Sequence, residues 1–247
     1  MNPFTLSGKA ILVTGASSGI GKTTAIACAE AGARVVLTGR NEHRLNETFS
    51  QLSGEGHTVL AAELCEQEEI NRLVDAMPEL DGAFFCAGVS DTTPVKYINS
   101  EALQRVLSIN LEAPILLTQR LLLKKKIKKG ASLVYMSSMG VEQVAPGLGI
   151  YAASKSGLNA FMRAVANEQA SRKVRANAVM AGMVRTELID SLSQLTEEDI
   201  KRDEAKYPLG YGRPEDVANA VIYLLSDASR WMTGMTLKLD GGASLSL

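Results

Sequence analysis

The chain has 247 residues, of which 46% are hydrophobic, and its formal net charge is −1. A chain this long can bury a sizeable core without disulfides or a structural metal, and α/β chains of this size often fold as one unit. The near-neutral charge excludes the broad basic field that nucleic-acid binding requires.

Taken in chain order, residues 10–13 (Ala-Ile-Leu-Val) are continuously apolar and read as a strand buried on both faces. A stretch over 20–31 reads as a helix stopped by Gly32. A second strand is expected over 34–38, and a helix over 41–52 with Asn41 as its N-cap. The alternation continues with strand 58–62, helix 66–77, strand 82–86, helix 111–126 and strand 132–136. Helix 151–171, strand 174–180, helix 214–225 and strand 235–239 complete it. Repeated βαβ units with right-handed crossovers predict an α/β fold: a doubly wound, Rossmann-like parallel sheet with helices on both faces. No linker, repeat or low-complexity tract divides the chain, so residues 1–247 are expected to form one domain. The long irregular segment within 181–207 is the expected substrate lid, with a short helix starting at Thr196-Glu197-Glu198-Asp199.

The three cysteines, Cys28, Cys65 and Cys86, fit no CxxC or zinc spacing and are expected to be buried, reduced thiols, as in a cytoplasmic protein. His43 and His57 lack ligand-spaced partners, so no metal site is expected. No basic region followed by a long apolar run opens the sequence, and no membrane partner is expected.

The first strand runs into Thr14-Gly15-Ala16-Ser17-Ser18-Gly19-Ile20-Gly21. A glycine turn leading into a helix lets backbone N–H groups and the helix dipole receive a phosphate. The spacing is slightly longer than the G-x-G-x-x-G dinucleotide fingerprint. Residues 16–23, Ala-Ser-Ser-Gly-Ile-Gly-Lys-Thr, also match a Walker A loop with Ala for its first Gly, so a P-loop nucleotide hydrolase competes on this loop alone. No acidic residue ends an apolar strand to hold magnesium; Asp81 precedes its strand.

Tyr151 and Lys155 are four residues apart, on one face of the expected helix. A nearby cation favours ionisation of a phenol, whose ordinary pKa is about 10. Ser137-Ser138 and Asn110 precede them. Together, the T-G-x-x-x-G-x-G turn, Asn110, Ser138, Tyr151, Lys155 and the closing Gly212-Arg213-Pro214-Glu215-Asp216-Val217-Ala218 and Asp240-Gly241-Gly242 resemble the short-chain dehydrogenase/reductase family over nearly the full length. The pattern is most similar to its 3-oxoacyl-acyl-carrier-protein reductases.

The resemblance implies about seven strands, a homotetramer and a set of roles. Tyr151 gives a proton to the carbonyl oxygen. Lys155 lowers the tyrosine pKa and binds the nicotinamide ribose. Ser138 bonds the substrate oxygen, and Asn110 holds a water in a proton relay. Thr186 and the Val184 backbone take the carboxamide. Gly15, Ser17, Ser18, Gly19, Ile20 and Gly21 cradle the phosphates, while Glu63, Leu64, Ala87 and Gly88 line the adenosine and ribose path. Three positions depart from the family: Phe85-Cys86-Ala87-Gly88 lacks the usual asparagine pair, Ala181-Gly182 lacks a proline, and Glu63 replaces aspartate.

The second strand ends in Gly39-Arg40. Gly39 stands where NAD-specific enzymes carry an acid, and a guanidinium suits a 2′-phosphate, so NADP(H) is the expected cofactor and ketone reduction the expected direction. The substrate is a small-molecule or carrier-bound ketone. Lys124-Lys125-Lys126-Ile127-Lys128-Lys129, with Arg172, Lys173 and Arg175, would form a patch for an acidic acyl carrier protein, or else a solvated helix end. Reductases of other small carbonyl compounds and a non-catalytic dinucleotide sensor are the alternatives.

Overall fold

The structure, a computed structural model, describes residues 2–186 and 196–245. Seven parallel strands form one sheet in the order β3-β2-β1-β4-β5-β6-β7. They are β1 (Ala10–Thr14), β2 (Arg34–Gly39), β3 (Thr58–Ala61), β4 (Leu80–Phe85), β5 (Ile127–Ser138), β6 (Arg175–Ala181) and β7 (Thr236–Leu239). The expected fold class is therefore the observed one. The helices are α1 (Gly19–Glu30), α2 (Glu42–Phe49), α3 (Gln67–Ala76), α4 (Ser100–Leu107), α5 (Ala113–Leu123), α6 (Gly149–Glu168), α7 (Glu197–Glu204) and α8 (Pro214–Leu225).

Strand alternation builds two cores. Leu12, Val36, Ala83, Leu133 and Tyr135 point to one face, under Leu73 of α3, Leu117 of α5 and Met162 of α6. Ile11, Val13, Leu37, Phe84 and Val134 point to the other, under Cys28 of α1, Leu45 of α2 and Val221 of α8. Residues i and i+1 of a strand face opposite sides, so a strand covered on both must be apolar throughout, and all five residues of β1 are buried. Asn41 caps α2 through Arg44 N at 3.0 Å, as expected, although α2 ends earlier, at Phe49.

The largest departure lies between β4 and β5. In place of one helix over 111–126, α4 and α5 run on through a wide π-type turn at Ser108–Glu112, and α5 stops at Leu123. The helical run Ser100–Leu123 is long and apolar enough to cross a membrane, but Ala113, Leu117 and Leu121 pack in the core against the sheet.

The lysine run therefore starts at a helix end, where Lys124 caps α5, and passes into a strand. Lys125 adopts a left-handed turn, and residues 127–129 already belong to β5. Lys124 pairs with Asp75 at 2.9 Å and Lys128 with Asp81 at 2.8 Å, and Lys126 donates to the carbonyl of Met77. Arg172 donates to the Ile127 carbonyl, and Arg175 to the carbonyls of Leu224 and Ser226. Lys128 and Ser138 lie toward opposite ends of β5, which is bulged between Ile127 and Ser132; the regular stretch from Ser132 to Ser138 alone spans about 20 Å at the usual strand rise. Within one chain, two cations of the expected carrier patch are thus paired with carboxylates, and the patch lies at the opposite end of β5 from Ser138.

Candidate active site

The carboxyl ends of β1, β2, β3 and β4 open onto a cleft of ≈ 600 Å³. Open parallel sheets bind their ligands in such crevices. Gly15, Ser17, Ser18, Gly19, Ile20, Gly21, Arg40, Glu63, Leu64, Ala87, Gly88 and Thr186 all line it. Gly15 has φ +66°, and a Cβ on it would stand 3.0 Å from the Ala87 backbone. A Cβ on Gly21 would lie 2.2 Å from the Gly15 carbonyl oxygen. The turn is therefore built only for glycine. Ser18 makes no side-chain cap to α1, and the first turn holds no acid, so its N–H groups suit an anionic ligand. This cradle fits a dinucleotide.

Thr14 replaces part of the missing asparagine tie: its Oγ1 accepts from Cys86 N at 2.9 Å and Ala87 N at 3.0 Å. Val184 bridges to Gly212, and Thr186 approaches Gly19, whose Cβ position lies 3.5 Å from the Thr186 methyl. Val184 itself does not line the cleft. Residues 187–195 of the expected lid lie outside the described residues. The helix expected at Thr196 is present, with Thr196 Oγ1 accepting from Asp199 N at 3.1 Å.

At the far end of the cleft a Cβ on Gly88 would meet Asn110 Oδ1 at 2.9 Å and Lys155 Nζ at 3.4 Å, so Asn110 and Lys155 converge there. Lys155 donates to the Met136 carbonyl at 2.9 Å. Burial pushes its ammonium down to about 8, while the neighbouring Cys86 opposes the shift. Burial raises the Tyr151 phenol, and a hydrogen bond with Ser138 pulls it back. The Lys155 ammonium is turned to Met136 and lies 5.9 Å from the Tyr151 ring centre.

The Asn110 carboxamide is also committed. Oδ1 accepts from Val89 N at 2.8 Å, and Nδ2 donates to the Val89 carbonyl at 2.9 Å and Ser154 Oγ at 3.2 Å. Ser137 is buried in β5 away from these groups' bonds, with its hydroxyl unpartnered. Cys28 is buried, but Cys65 is exposed, against expectation, because it lies in the connection that rims the cleft.

Sequence reasoning missed Gln104, Arg105, Ser108 and Ile109, which line the cleft from α4 and the turn after it. Asn99, which accepts from Ala102 N at 2.8 Å, was the available cap signal for α4. Asp81 sits at the start of β4, bonded to Ala10 N at 2.9 Å and to Lys128, at the opposite end of the strand from the glycine turn. No magnesium carboxylate faces that turn from β4, and the P-loop alternative fails. Among the described residues no metal-binding group of His, Cys, Asp or Glu occurs.

A glycine cradle at the head of a seven-stranded parallel sheet, with a half-buried tyrosine and serine and a buried lysine beyond it, defines a dinucleotide-dependent oxidoreductase. A family profile described as enoyl-(acyl carrier protein) reductase matches residues 15–244. The chain is 34% identical over 238 residues to the 3-oxoacyl-[acyl-carrier-protein] reductase FabG of Rickettsia felis, covering 96% of this chain and 97% of that one. A Sinorhizobium meliloti crystal structure described as a short-chain alcohol dehydrogenase superposes with a TM-score of 0.91 at 31% identity, over 99% of this chain and 100% of that one. A structure from Agrobacterium tumefaciens, described as a 2-deoxy-D-gluconate 3-dehydrogenase with bound NADP, gives 0.89 at 27% identity, over 99% of this chain and 100% of that one. The chain belongs to the short-chain dehydrogenase/reductase family, and it is an oxidoreductase of that family.

Proposed function

We propose that the protein is an NADP(H)-dependent reductase that converts the ketone of a 3-oxoacyl group, carried on an acyl carrier protein, to a secondary alcohol. The cofactor is NADP(H), which supplies the hydride when bound. Gly15 to Gly21 hold its phosphates, Arg40 its 2′-phosphate, and Val184 and Thr186 its carboxamide. Tyr151 gives the proton to the ketone oxygen, and Ser138 donates to the same oxygen. Both act where negative charge develops, so they favour the transition state over the bound ketone. Lys155 supplies a buried positive charge beside them.

The observation that carries the acyl assignment is the surface around the Tyr151 end of α6. Val95 abuts Gly149, two residues before Tyr151. Val95 (77% exposed), Tyr97 (66%) and Val144 (56%) stand open on the two segments that flank this end. Every charge on those segments is engaged: Asp91 with Arg105, Glu142 with Lys238, and Lys96 over the Tyr97 ring. A sugar ketone needs many buried polar partners, whereas an acyl chain needs apolar contact. The names of the 3-oxoacyl-carrier relatives support the same reading.

Residues 1–247 act as one catalytic domain, with the lid within 181–207. The exposed apolar side chains Leu103, Leu116 and Leu123 on α4 and α5 support assembly as a homotetramer. The free cysteines support a cytoplasmic location. A panel of 3-oxoacyl thioesters, 2-enoyl thioesters, glucose and gluconate, followed by nicotinamide absorbance, tests the proposal. The 3-oxoacyl thioesters should have the highest kcat/KM with NADPH. A higher value for gluconate or an enoyl thioester would contradict it.

A further inference from the structure

The adenosine end of the cleft carries one cation and two carboxylates. Arg40, Glu63 and Glu66 line it together, with Cys65 between the two acids. The connection from β3 to α3 fixes how Glu63 points. Its Oε1 accepts from Cys65 N at 3.2 Å. Its own N–H is given to Glu69 Oε2 at 2.8 Å, and Glu69 is in turn paired with Arg72. These bonds hold Glu63 Oε2 3.7 Å from Arg40 Nη1. The carboxylate thus faces the guanidinium at the phosphate subsite rather than standing free for the adenine.

The Arg40 side chain is 74% exposed and that of Glu63 34%, so water screens their attraction and Arg40 can readily turn to another anion. The negative charge of Glu63 stays where it is. A 2′-phosphate carries between one and two negative charges at neutral pH and would have to seat beside that carboxylate. A ribose 2′-hydroxyl carries none and meets no such repulsion. Arg40 and Glu63 therefore act in opposite directions on the same subsite.

We infer that Glu63 is a specificity-determining residue that limits the preference for NADPH, leaving the protein able to bind NADH as well. The inference rests on the reading of Arg40 as the 2′-phosphate ligand. One carboxylate beside a phosphate in a water-like dielectric should weaken its binding by roughly 3- to 10-fold.

Calorimetric titration of the protein with NADPH and with NADH at low salt tests this without turnover. The quantity read is the ratio of the NADH Kd to the NADPH Kd. Glu63→Gln removes the charge and keeps an oxygen for the Cys65 N–H, so the ratio should rise about 3- to 10-fold. Glu63→Asp keeps the charge and should stay near the wild-type ratio. Arg40→Ala should bring the ratio toward one. If Glu63→Gln leaves the ratio unchanged or lowers it while Arg40→Ala collapses it, the role of Glu63 is overturned and Arg40 stands. A rise of equal size in Glu63→Asp also overturns it, because shape and not charge would then be responsible. If Arg40→Ala leaves the ratio unmoved, the reading of Arg40 fails and this inference with it.

Discussion

Lys155 donates its ammonium to the carbonyl oxygen of Met136 at 2.9 Å, and not to the Tyr151 hydroxyl. The lysine is fully enclosed between α6 and β5, and the low-polarity surroundings hold its pKa near 8, below its ordinary value of 10.5. Charging it in the folded protein therefore opposes stability. Below pH 8 the lysine is protonated in both folded and unfolded chains, and the destabilisation is complete. As pH rises from 8 to 10.5, the unfolded chain binds more protons than the folded one, and this destabilisation is progressively relieved.

Replacing that ammonium with an apolar side chain should remove the opposition. Lys155→Met should raise stability at pH 7 by about 2–3 kcal/mol, less whatever the orphaned Met136 carbonyl costs. The gain should shrink steadily between pH 8 and 10.5. Denaturant unfolding of both proteins across that range checks the sign. A gain that grew with pH would contradict the assigned shift.

The buried Asn110 side chain holds three hydrogen bonds, two of them to the backbone of Val89. Asn110→Ala leaves the Val89 N–H and carbonyl without partners next to the cleft. It should destabilise the fold by about 2–4 kcal/mol, read as a lower denaturant midpoint with an unchanged slope. Asn110→Asp restores the acceptor but not the donors and should recover only part of this. Full stability in Asn110→Ala would mean that the carboxamide is not a clamp.

The basic run at the start of β5 should matter for local structure and not for substrate choice. In a Lys128→Glu, Lys129→Glu, Arg172→Glu variant, kcat/KM for a carrier-bound 3-oxoacyl group and for a small 3-oxo ester should change together. Loss of the Lys128–Asp81 pair and of the Arg172 bond to Ile127 should show as a lower melting temperature. A selective loss of the carrier-bound substrate at low salt would restore the docking role.

The strands and the glycine turn were legible because local chemistry dictates them. Continuous apolar runs such as Ala10–Thr14 suit only a strand covered on both faces, and Gly21 admits no side chain. The pairing of Tyr151 and Lys155 on one helix was legible through helical spacing and family resemblance. Helix α4 was not, since among its eight residues only Val106 is buried and its apolar stripe is short. The first residues of β5 were hidden because lysines mask a strand whose charges are answered by Asp75 and Asp81, some fifty residues away in the chain. The tether of Glu63 to Arg40 and the turn of Lys155 toward Met136 depend on side-chain directions across three strands, which no local pattern encodes.

Tyr151→Phe tests the central claim most directly, with single-turnover oxidation of bound NADPH by a 3-oxoacyl thioester as the measurement. The ring and its packing remain, Ser138 keeps its bond to Gly140 N at 3.1 Å, and the cofactor cradle is untouched. Removal of the proton donor should slow the step by about 10²–10⁴-fold while NADPH still binds. A rate near that of the wild type, with cofactor bound, would contradict the assignment of Tyr151 as the acid.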